Sequence, residues 1–237
     1  MPGYTRHELK HDRLTDATQE GFSWALGHKR NLTIAIIVVA ALAAALAGAW
    51  FYFDRQNEQA SLALGQAVRT FDRPLRQAGV EPPPGLQTFG SSAERGREAQ
   101  KQFQAIAEKY PHTRSGEIAR YLAGVAAVDA GDNATAEREL KAAADSRRED
   151  FASLAKLALA ALYRSTKRDA DALAIYTQLA EHPTTAVSKP TALLAKAEML
   201  EKSAPAEATR VYQQIRSEDP TGPIGRLAEQ RLNNPKK

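Results

Sequence analysis

The hydrophobic pattern begins with a long uncharged stretch between Arg30 and Arg55. As a helix, residues 31–53 would be about 34 Å long, and the hydrocarbon core of a bilayer is about 30 Å thick. Leu, Ile, Val and Phe side chains favour insertion of this stretch, and no central charge opposes it. The pattern predicts one membrane-spanning helix over residues 31–53, in contact with a lipid bilayer.

The residues flanking this stretch indicate an orientation. Trp50-Phe51-Tyr52-Phe53 at its end is typical of the headgroup region, where aromatic rings concentrate. Lys29 and Arg30 precede the stretch, whereas Arg55 alone follows closely. Because basic residues favour the cytoplasmic side, we expect residues 1–30 to be a cytoplasmic tail. The rest of the chain would then lie outside the cytoplasm.

An alternative interpretation makes the same stretch a cleaved export signal. Ala47-Gly48-Ala49 is a small-x-small site, and cleavage after Ala49 would release a soluble protein. Two features oppose this interpretation. The leader before the apolar run is longer than in signal peptides, and cleavage would leave four aromatic residues at the new terminus. Retention as an anchor is the favoured prediction.

Residues 54–92 are predicted to form a juxtamembrane helix followed by a proline-rich loop. The helical pattern continues through residues 57–71, and Pro82-Pro83-Pro84-Gly85 lies at the centre of the loop. Consecutive prolines favour an extended backbone. We interpret the loop as a spacer, with a ligand-presenting insert as the alternative.

Residues 93–237 contain an internal repeat. The segments AQKQFQAI, AERELKAA, ALAIYTQL and ATRVYQQI begin at Ala99, Ala136, Ala172 and Ala208, so the pattern recurs every 36 or 37 residues. Each segment has a large apolar residue four positions after its alanine. Apolar helical segments lie between these units, so each unit is predicted to be a helical hairpin.

The hairpins resemble the tetratricopeptide repeat (TPR), whose helix A carries a small residue and whose helix B carries Ala-x3-aromatic. Gly124 and Ala136 are twelve residues apart, as are Ala160 and Ala172. Small side chains allow two helices to pack closely. In the fourth unit Lys196 occupies the small position, so we expect a shifted register or a rotated helix there. The residues predicted to pack the repeats are Ala99, Phe103, Gly124, Ala136, Leu140, Ala160, Ala172, Tyr176, Ala208 and Tyr212.

Local signals predict where several helices begin and end. Gly131 is expected to close one helix and Asp132 to start the next. Ser188, Ser203 and Thr221 each stand two residues before a proline, a spacing that predicts hydroxyl caps. Thr221–Leu232 is predicted to be a final helix that covers the last hairpin. The expected fold is all-α: one transmembrane helix followed by an α-solenoid of TPR-like hairpins.

The TPR resemblance implies a protein-binding groove formed by the A helices. The residues that it places in the groove are Ile118, Tyr121, Val125, Val128, Leu154, Leu157, Ala161, Arg164 and Leu193, with Ala197 and Leu200 beside Leu193. These side chains are mostly apolar and suit an apolar helix or extended segment. The alternative is that they pack within the superhelix or at a dimer contact, which leaves a homo-oligomer open.

The composition argues against enzymatic activity and against nucleic-acid binding. The net charge is +4, with basic and acidic residues interspersed rather than clustered, so no nucleic-acid partner is expected. The chain has no cysteine, which excludes thiolate metal sites and thiol nucleophiles. His7 and His11 are four residues apart but have no third ligand nearby. We expect no cofactor, no metal and no enzymatic activity.

The overall layout resembles the YfgM-like family, single-span ancillary subunits of the bacterial Sec translocon. This resemblance implies an inner-membrane protein with its repeat domain in the periplasm, in contact with translocon subunits or a periplasmic chaperone. The longer tail and the triproline loop depart from that family. A second hypothesis is a self-associating scaffold of an envelope complex, similar to the TPR part of cell-division coordinators.

Overall fold

The computed structural model describes residues 29–76, 79, 85 and 87–234. Its contacts divide the chain into two compact units, the first ending at Arg55 and the second comprising Gln56–Lys237. Most of the predicted cytoplasmic tail and the predicted loop centre at Pro82-Pro83-Pro84 lie outside the described residues. The description below therefore concerns the apolar helix and the helical domain.

The first helix, α1, comprises Lys29–Phe71 and includes both the predicted span and its predicted continuation. Large apolar side chains are exposed along it between Ile34, which is 52% exposed, and Phe53, which is 53% exposed. Its most apolar window has a mean hydropathy of 2.5, and none of that window is buried. By length and composition, this helix is able to cross a membrane.

Eight further helices follow in the described part of the chain. They are α2 Ser92–Lys109, α3 Arg114–Ala130, α4 Asn133–Ala144, α5 Glu149–Ser165, α6 Asp169–Glu181, α7 Lys189–Ser203, α8 Pro205–Glu218 and α9 Pro223–Asn233. Consecutive helices pack against each other from α2 to α9. Apart from one isolated bridge between Leu75 and Phe89, the described backbone contains no β-structure. The predicted fold class is confirmed.

The first hairpin begins earlier than the sequence pattern indicated. Ala60 and Ala67 of α1 are buried in one cluster with Ala99 and Phe103 of α2, so the end of α1 serves as the first A helix. A backbone hydrogen bond joins the two ends of the segment between these helices, where the Arg76 N–H donates to the Phe89 carbonyl at 2.8 Å. The predicted boundary at residue 93 therefore falls inside the second compact unit, which starts at Gln56.

Small residues allow the hairpins to pack tightly. A Cβ atom on Gly124 of α3 would lie 2.7 Å from Leu140 Cγ of α4, and one on Gly96 of α2 would lie 2.7 Å from the Ala126 carbonyl oxygen of α3. No side chain fits at either position without movement of its neighbour. The structure buries the ten predicted packing residues, Ala99, Phe103, Gly124, Ala136, Leu140, Ala160, Ala172, Tyr176, Ala208 and Tyr212.

Three of the predicted helix ends are present in the structure. Gly131 adopts a left-handed conformation with φ of 79° at the end of α3, as glycine readily does. Asp132 then accepts a hydrogen bond from the Thr135 N–H at 3.1 Å at the start of α4. Ser188 caps α7 by accepting from the Thr191 N–H at 3.4 Å. These three predictions are confirmed.

The predicted hydroxyl caps at Ser203 and Thr221 are wrong. The residues preceding α8 and α9 are Ala204 and Gly222, and neither helix has a side-chain cap. Because Pro205 and Pro223 open their helices, a hydroxyl two residues earlier lies one position outside the cap.

In the fourth hairpin, formed by α7 and α8, the buried small residue of the A helix lies one position later than predicted. Ala197, rather than Lys196, is fully buried at the position of the small residue in α7. Only Ala204 separates α7 from α8, whereas two residues separate α3 from α4. The final helix predicted over Thr221–Leu232 is α9, and it packs on α8 and α7 with Ala228 fully buried.

The tight contact at Gly96 predicts a large effect of one added methyl group. In Gly96→Ala, the new Cβ would meet α3 backbone atoms, and such overpacking costs about 1–3 kcal/mol. This cost exceeds the roughly 0.5–1 kcal/mol by which alanine favours a helix over glycine. We expect a lower midpoint of thermal unfolding, measured by circular dichroism on the full chain in detergent.

Gly65→Ala is the matched control, because no described atom outside the local backbone of α1 lies within 4 Å of a Cβ built at Gly65. Its midpoint should stay the same or rise. Equal destabilisation by the two variants would contradict the proposed role of close packing between α2 and α3.

Candidate functional site

The predicted groove residues of α3 share one face of that helix. Ile118, Tyr121 and Val125 are half-buried, and Val128 is 40% exposed. Tyr121 and Val125 also pack against the buried cluster that includes Leu140 and Tyr163. We call the outward side of α3, α5 and α7 the A-helix face.

An aromatic pair joins α3 to α5 on this face. The rings of Tyr121 and Phe151 are 5.8 Å apart at 70°, an edge-to-face arrangement. Burial raises the pKa of Tyr121, so its phenol stays neutral. Phe151 was not predicted as a groove residue, although its spacing of three residues from Leu154 places it on the same helix face.

The α5 part of the A-helix face changes from apolar to charged along the helix. Leu154 and Leu157 are half-buried and pack against core clusters, whereas Ala161 and Arg164 are exposed. Arg164 reaches the next A helix, where its guanidinium lies 3.9 Å from the Glu198 carboxylate of α7.

The α7 part of the predicted groove needs a correction. Leu193, Ala197 and Leu200 are buried in the C-terminal core at 6%, 0% and 5% exposure, so they offer no groove surface. A shift of one residue turns a helix by about 100°, and α7 carries such a shift because Ala197 takes the packing position. In their place, the half-buried residues Leu194, Glu198 and Glu201 lie at the corresponding positions.

Charged contacts then connect α7 to the last two helices. Arg231 of α9 lies 3.7 Å from both Glu198 and Glu201. The Tyr212 hydroxyl of α8 donates to Glu201 at 2.7 Å, and burial together with this bond raises the pKa of Tyr212. The A-helix face is therefore apolar on α3 and carries paired charges on α7.

A second charged network ties α4, α5 and α6 together away from this face. Glu137 accepts from Lys141 at 2.6 Å, from Arg168 at 2.8 Å and from the Tyr163 hydroxyl at 3.0 Å. The Arg168 guanidinium also lies 4.0 Å from the centre of the Tyr163 ring. Hydrogen bonds from Lys141 and Arg168 lower the pKa of Glu137 to about 2. Glu137 of α4 thus contacts Tyr163 of α5 and Arg168, the residue directly before α6.

Clefts at the ends of the hairpins are lined by both acidic and basic residues. One of about 600 Å³ includes Lys156, His182 and Glu149, and another of about 510 Å³ includes Arg120 and Glu117. Within the described ranges, no group of three or more His, Cys, Asp or Glu residues could hold a metal ion. These clefts arise where successive hairpins meet.

The features described so far agree with the sequence pattern of a known family. They are the repeating hairpins, the small residues at their contacts and the apolar first helix. The pattern of the tetratricopeptide repeat-like domain matches residues 28–181. The chain belongs to this family. No curated protein and no solved structure matches it.

Membership in the TPR-like family assigns a class of function. TPR-like domains are protein-interaction modules and are typically not catalytic, so the chain has the architecture of a protein-binding adaptor. The match begins before α1 and ends with α6, so the apolar helix lies within the TPR-like region. The hairpin with the shifted register, α7 and α8, lies beyond the match.

The low pKa of Glu137 predicts a pH-dependent effect of Glu137→Gln. In the native protein this carboxyl titrates at about 2, against 4.5 for an ordinary glutamate. A lowered pKa stabilises the folded state above pH 4.5, and this advantage is lost as pH falls towards 2. At neutral pH the variant should lose about 1 kcal/mol or less, because partly exposed ion pairs are screened.

Denaturant unfolding of the full chain in detergent, followed by circular dichroism at several pH values, measures this difference. Glu108→Gln is the control, since Glu108 is exposed and forms no ion pair with a described residue. A gap between wild type and Glu137→Gln that persists unchanged at low pH would contradict the assignment.

Proposed function

We propose that this protein is a membrane-anchored adaptor that binds protein segments on its A-helix face outside the cytoplasm. The observation that carries the proposal is the construction of α1. Its first part exposes a continuous apolar surface, and its last part contributes Ala60 and Ala67 to the first hairpin. One helix thus supplies both the predicted anchor and the beginning of the binding domain.

Two observations favour a retained anchor over a cleaved export signal. Ala49, the predicted cleavage position, lies in the interior of α1, which is continuous from Lys29 to Phe71. The TPR-like match also includes this apolar helix. A released protein starting at Trp50 would carry four exposed aromatic side chains of α1 into water, with Trp50 itself 70% exposed.

The chemistry of the A-helix face indicates the kind of partner. The apolar surface around Tyr121 and Val128 suits an apolar segment of a partner chain. The neighbouring charges of Arg164 and Glu198 would orient such a segment through its polar groups. Unfolded or newly exported chains and their chaperones expose apolar segments of this kind.

The proposed location is the bacterial inner membrane, with the repeat domain in the periplasm beside the Sec translocon. The resemblance in layout to the YfgM-like family supports this placement, as does the excess of basic residues before the apolar stretch. An anchor raises the effective concentration of the A-helix face near an exit channel. Weak contacts with translocon subunits, emerging chains or chaperones would therefore be sufficient.

The orientation is tested with single cysteines, because the native chain has none. In spheroplasts, a membrane-impermeant thiol reagent should label Gln230→Cys directly. Lys10→Cys should be labelled only after the membrane is opened. The reverse pattern would overturn the orientation, and an amino terminus at Trp50 in the mature protein would overturn the anchor.

Partner binding is tested by photo-crosslinking in native membranes from a reactive residue at position 128. Recovery of translocon subunits or a periplasmic chaperone is expected. Ala161→Asp should reduce it several-fold, because a partner's apolar segment would bury the new carboxylate. Ala134→Asp, an exposed alanine on α4, is the matched control and should leave it unchanged. Self-crosslinks alone would reject the adaptor in favour of the envelope scaffold.

A further inference from the structure

The first hairpin contains a groove that is separate from the A-helix face. It lies between α1 and α2, has a volume of about 710 Å³, and is lined by residues of these two helices and by Arg73, two residues after the end of α1. Its apolar floor consists of Ala63 and Ala105, with the buried residues Ala67 and Ile106 beneath them, and Arg69, Arg73 and Gln102 form its polar side. We call this surface the N-terminal groove.

The N-terminal groove faces away from the next hairpin. Gly96 of α2 points at α3, since its Cβ would lie 2.7 Å from the Ala126 carbonyl oxygen. Ala105 lines the groove nine residues later, which is about half a turn around the helix from Gly96. Helix α3 therefore packs on the opposite side of α2 and leaves the groove open.

The other end of the repeat stack is closed by a helix. Helix α9 packs on α8 and α7, buries Ala228, and pairs Arg231 with Glu198 and Glu201. An end face of this stack thus accepts an amphipathic helix that combines apolar contacts with ion pairs. Stacked repeats require such covers because each repeat has an apolar side that faces its neighbour.

The charges of the N-terminal groove are unbalanced. No carboxylate lines it, and neither Arg69 nor Arg73 forms an ion pair within the described part of the chain. Glu98 lies beside the groove, where it accepts a hydrogen bond from Gln102 at 2.9 Å, and Asp72 adjoins Arg73 in the chain. Two guanidinium groups thus remain available beside an apolar floor.

We propose that the N-terminal groove docks an acidic amphipathic helix of a partner protein. The apolar stripe of that helix would pack on Ala63 and Ala105, which line the groove without being buried, and these small side chains permit close approach. Its carboxylates would pair with Arg69 and Arg73, and bidentate geometry favours arginine for this contact. Leu62 is 64% exposed and lies one turn before Gln66, which also lines the groove, so it would add an apolar contact at the edge.

The groove would give the adaptor a second, independent binding surface on the first hairpin of the stack. A partner seated there would cover the first hairpin as α9 covers the last one. The charge of the groove selects an acidic partner, whereas the A-helix face carries its own paired charges and an apolar surface. The two sites can therefore bind different proteins.

The test uses a synthetic helical peptide of about 18 residues, with a Leu/Ala stripe flanked by glutamates, and a matched peptide with lysines at the same positions. Ala105→Cys provides the only thiol in the full-length protein, held in zwitterionic nanodiscs. The acidic peptide should slow thiol labelling at position 105 about tenfold, and the basic peptide should not. No protection at about 1 mM acidic peptide would overturn the proposal.

Charge reversal provides the decisive variant. Arg69→Glu with Arg73→Glu, made in Ala105→Cys, should abolish protection by the acidic peptide and create protection by the basic one. Arg210→Glu with Arg216→Glu, two exposed arginines of α8, is the matched control and should change nothing. Equal loss in both double variants would overturn the proposal, and thermal unfolding monitors that each variant is folded.

Two further outcomes separate this site from its alternatives. Protection of position 105 by nanodiscs containing phosphatidylglycerol, without any peptide, would show that an anionic lipid surface covers the groove and would overturn the proposal. Val128→Asp should leave peptide protection unchanged, because Val128 lies on the A-helix face. If Val128→Asp removed protection, the peptide would be binding there, and the proposal would be wrong.

Discussion

The close approach of neighbouring helices is the constraint on which the rest of this structure depends. At Gly96 and Gly124 the adjacent helix occupies the space where a side chain would begin, and alanines serve the same purpose at Ala136 and Ala160. The larger B-helix side chains, such as Phe103, are then fully buried between the helices. Since each hairpin contacts mainly its neighbours, the stability of the stack is a sum of such local contacts.

The same small residues decide which side chains face outward. A helix that packs through its small residue has a fixed rotation, so the opposite side chains form the A-helix face. In α7 a shift of one position brings Ala197 into the contact and turns Leu193 inward. Glu198 consequently faces Arg164 and Arg231, and the A-helix face becomes charged at this end. Packing in the core thus determines the chemistry of the surface.

The two ends of the repeat stack are built differently, and this difference links the fold to the proposed functions. Helix α9 covers the last hairpin: Ala228 packs in the apolar cluster of that hairpin, and Arg231 pairs with Glu201. The first hairpin instead takes its A helix from the end of α1, which contributes Ala60 and Ala67 to the cluster around Phe103. The N-terminal groove lies on this first hairpin. An anchored adaptor would thereby present one apolar face and one basic end to its partners.

Local features of this protein were determined by its sequence. The apolar stretch, the repeat of 36 or 37 residues, and the ends at Gly131, Asp132 and Ser188 each depend on residues within a few positions of one another, and periodicity was sufficient to predict them. The tertiary structure decided the contacts between distant segments. It pairs the end of α1 with α2 across the proline-rich segment, brings Phe151 to Tyr121, and assembles the charges of α5, α7 and α9. These contacts depend on how each helix is rotated against its neighbour, and a shift of one residue, which the sequence pattern hardly registers, turns a helix by about 100°.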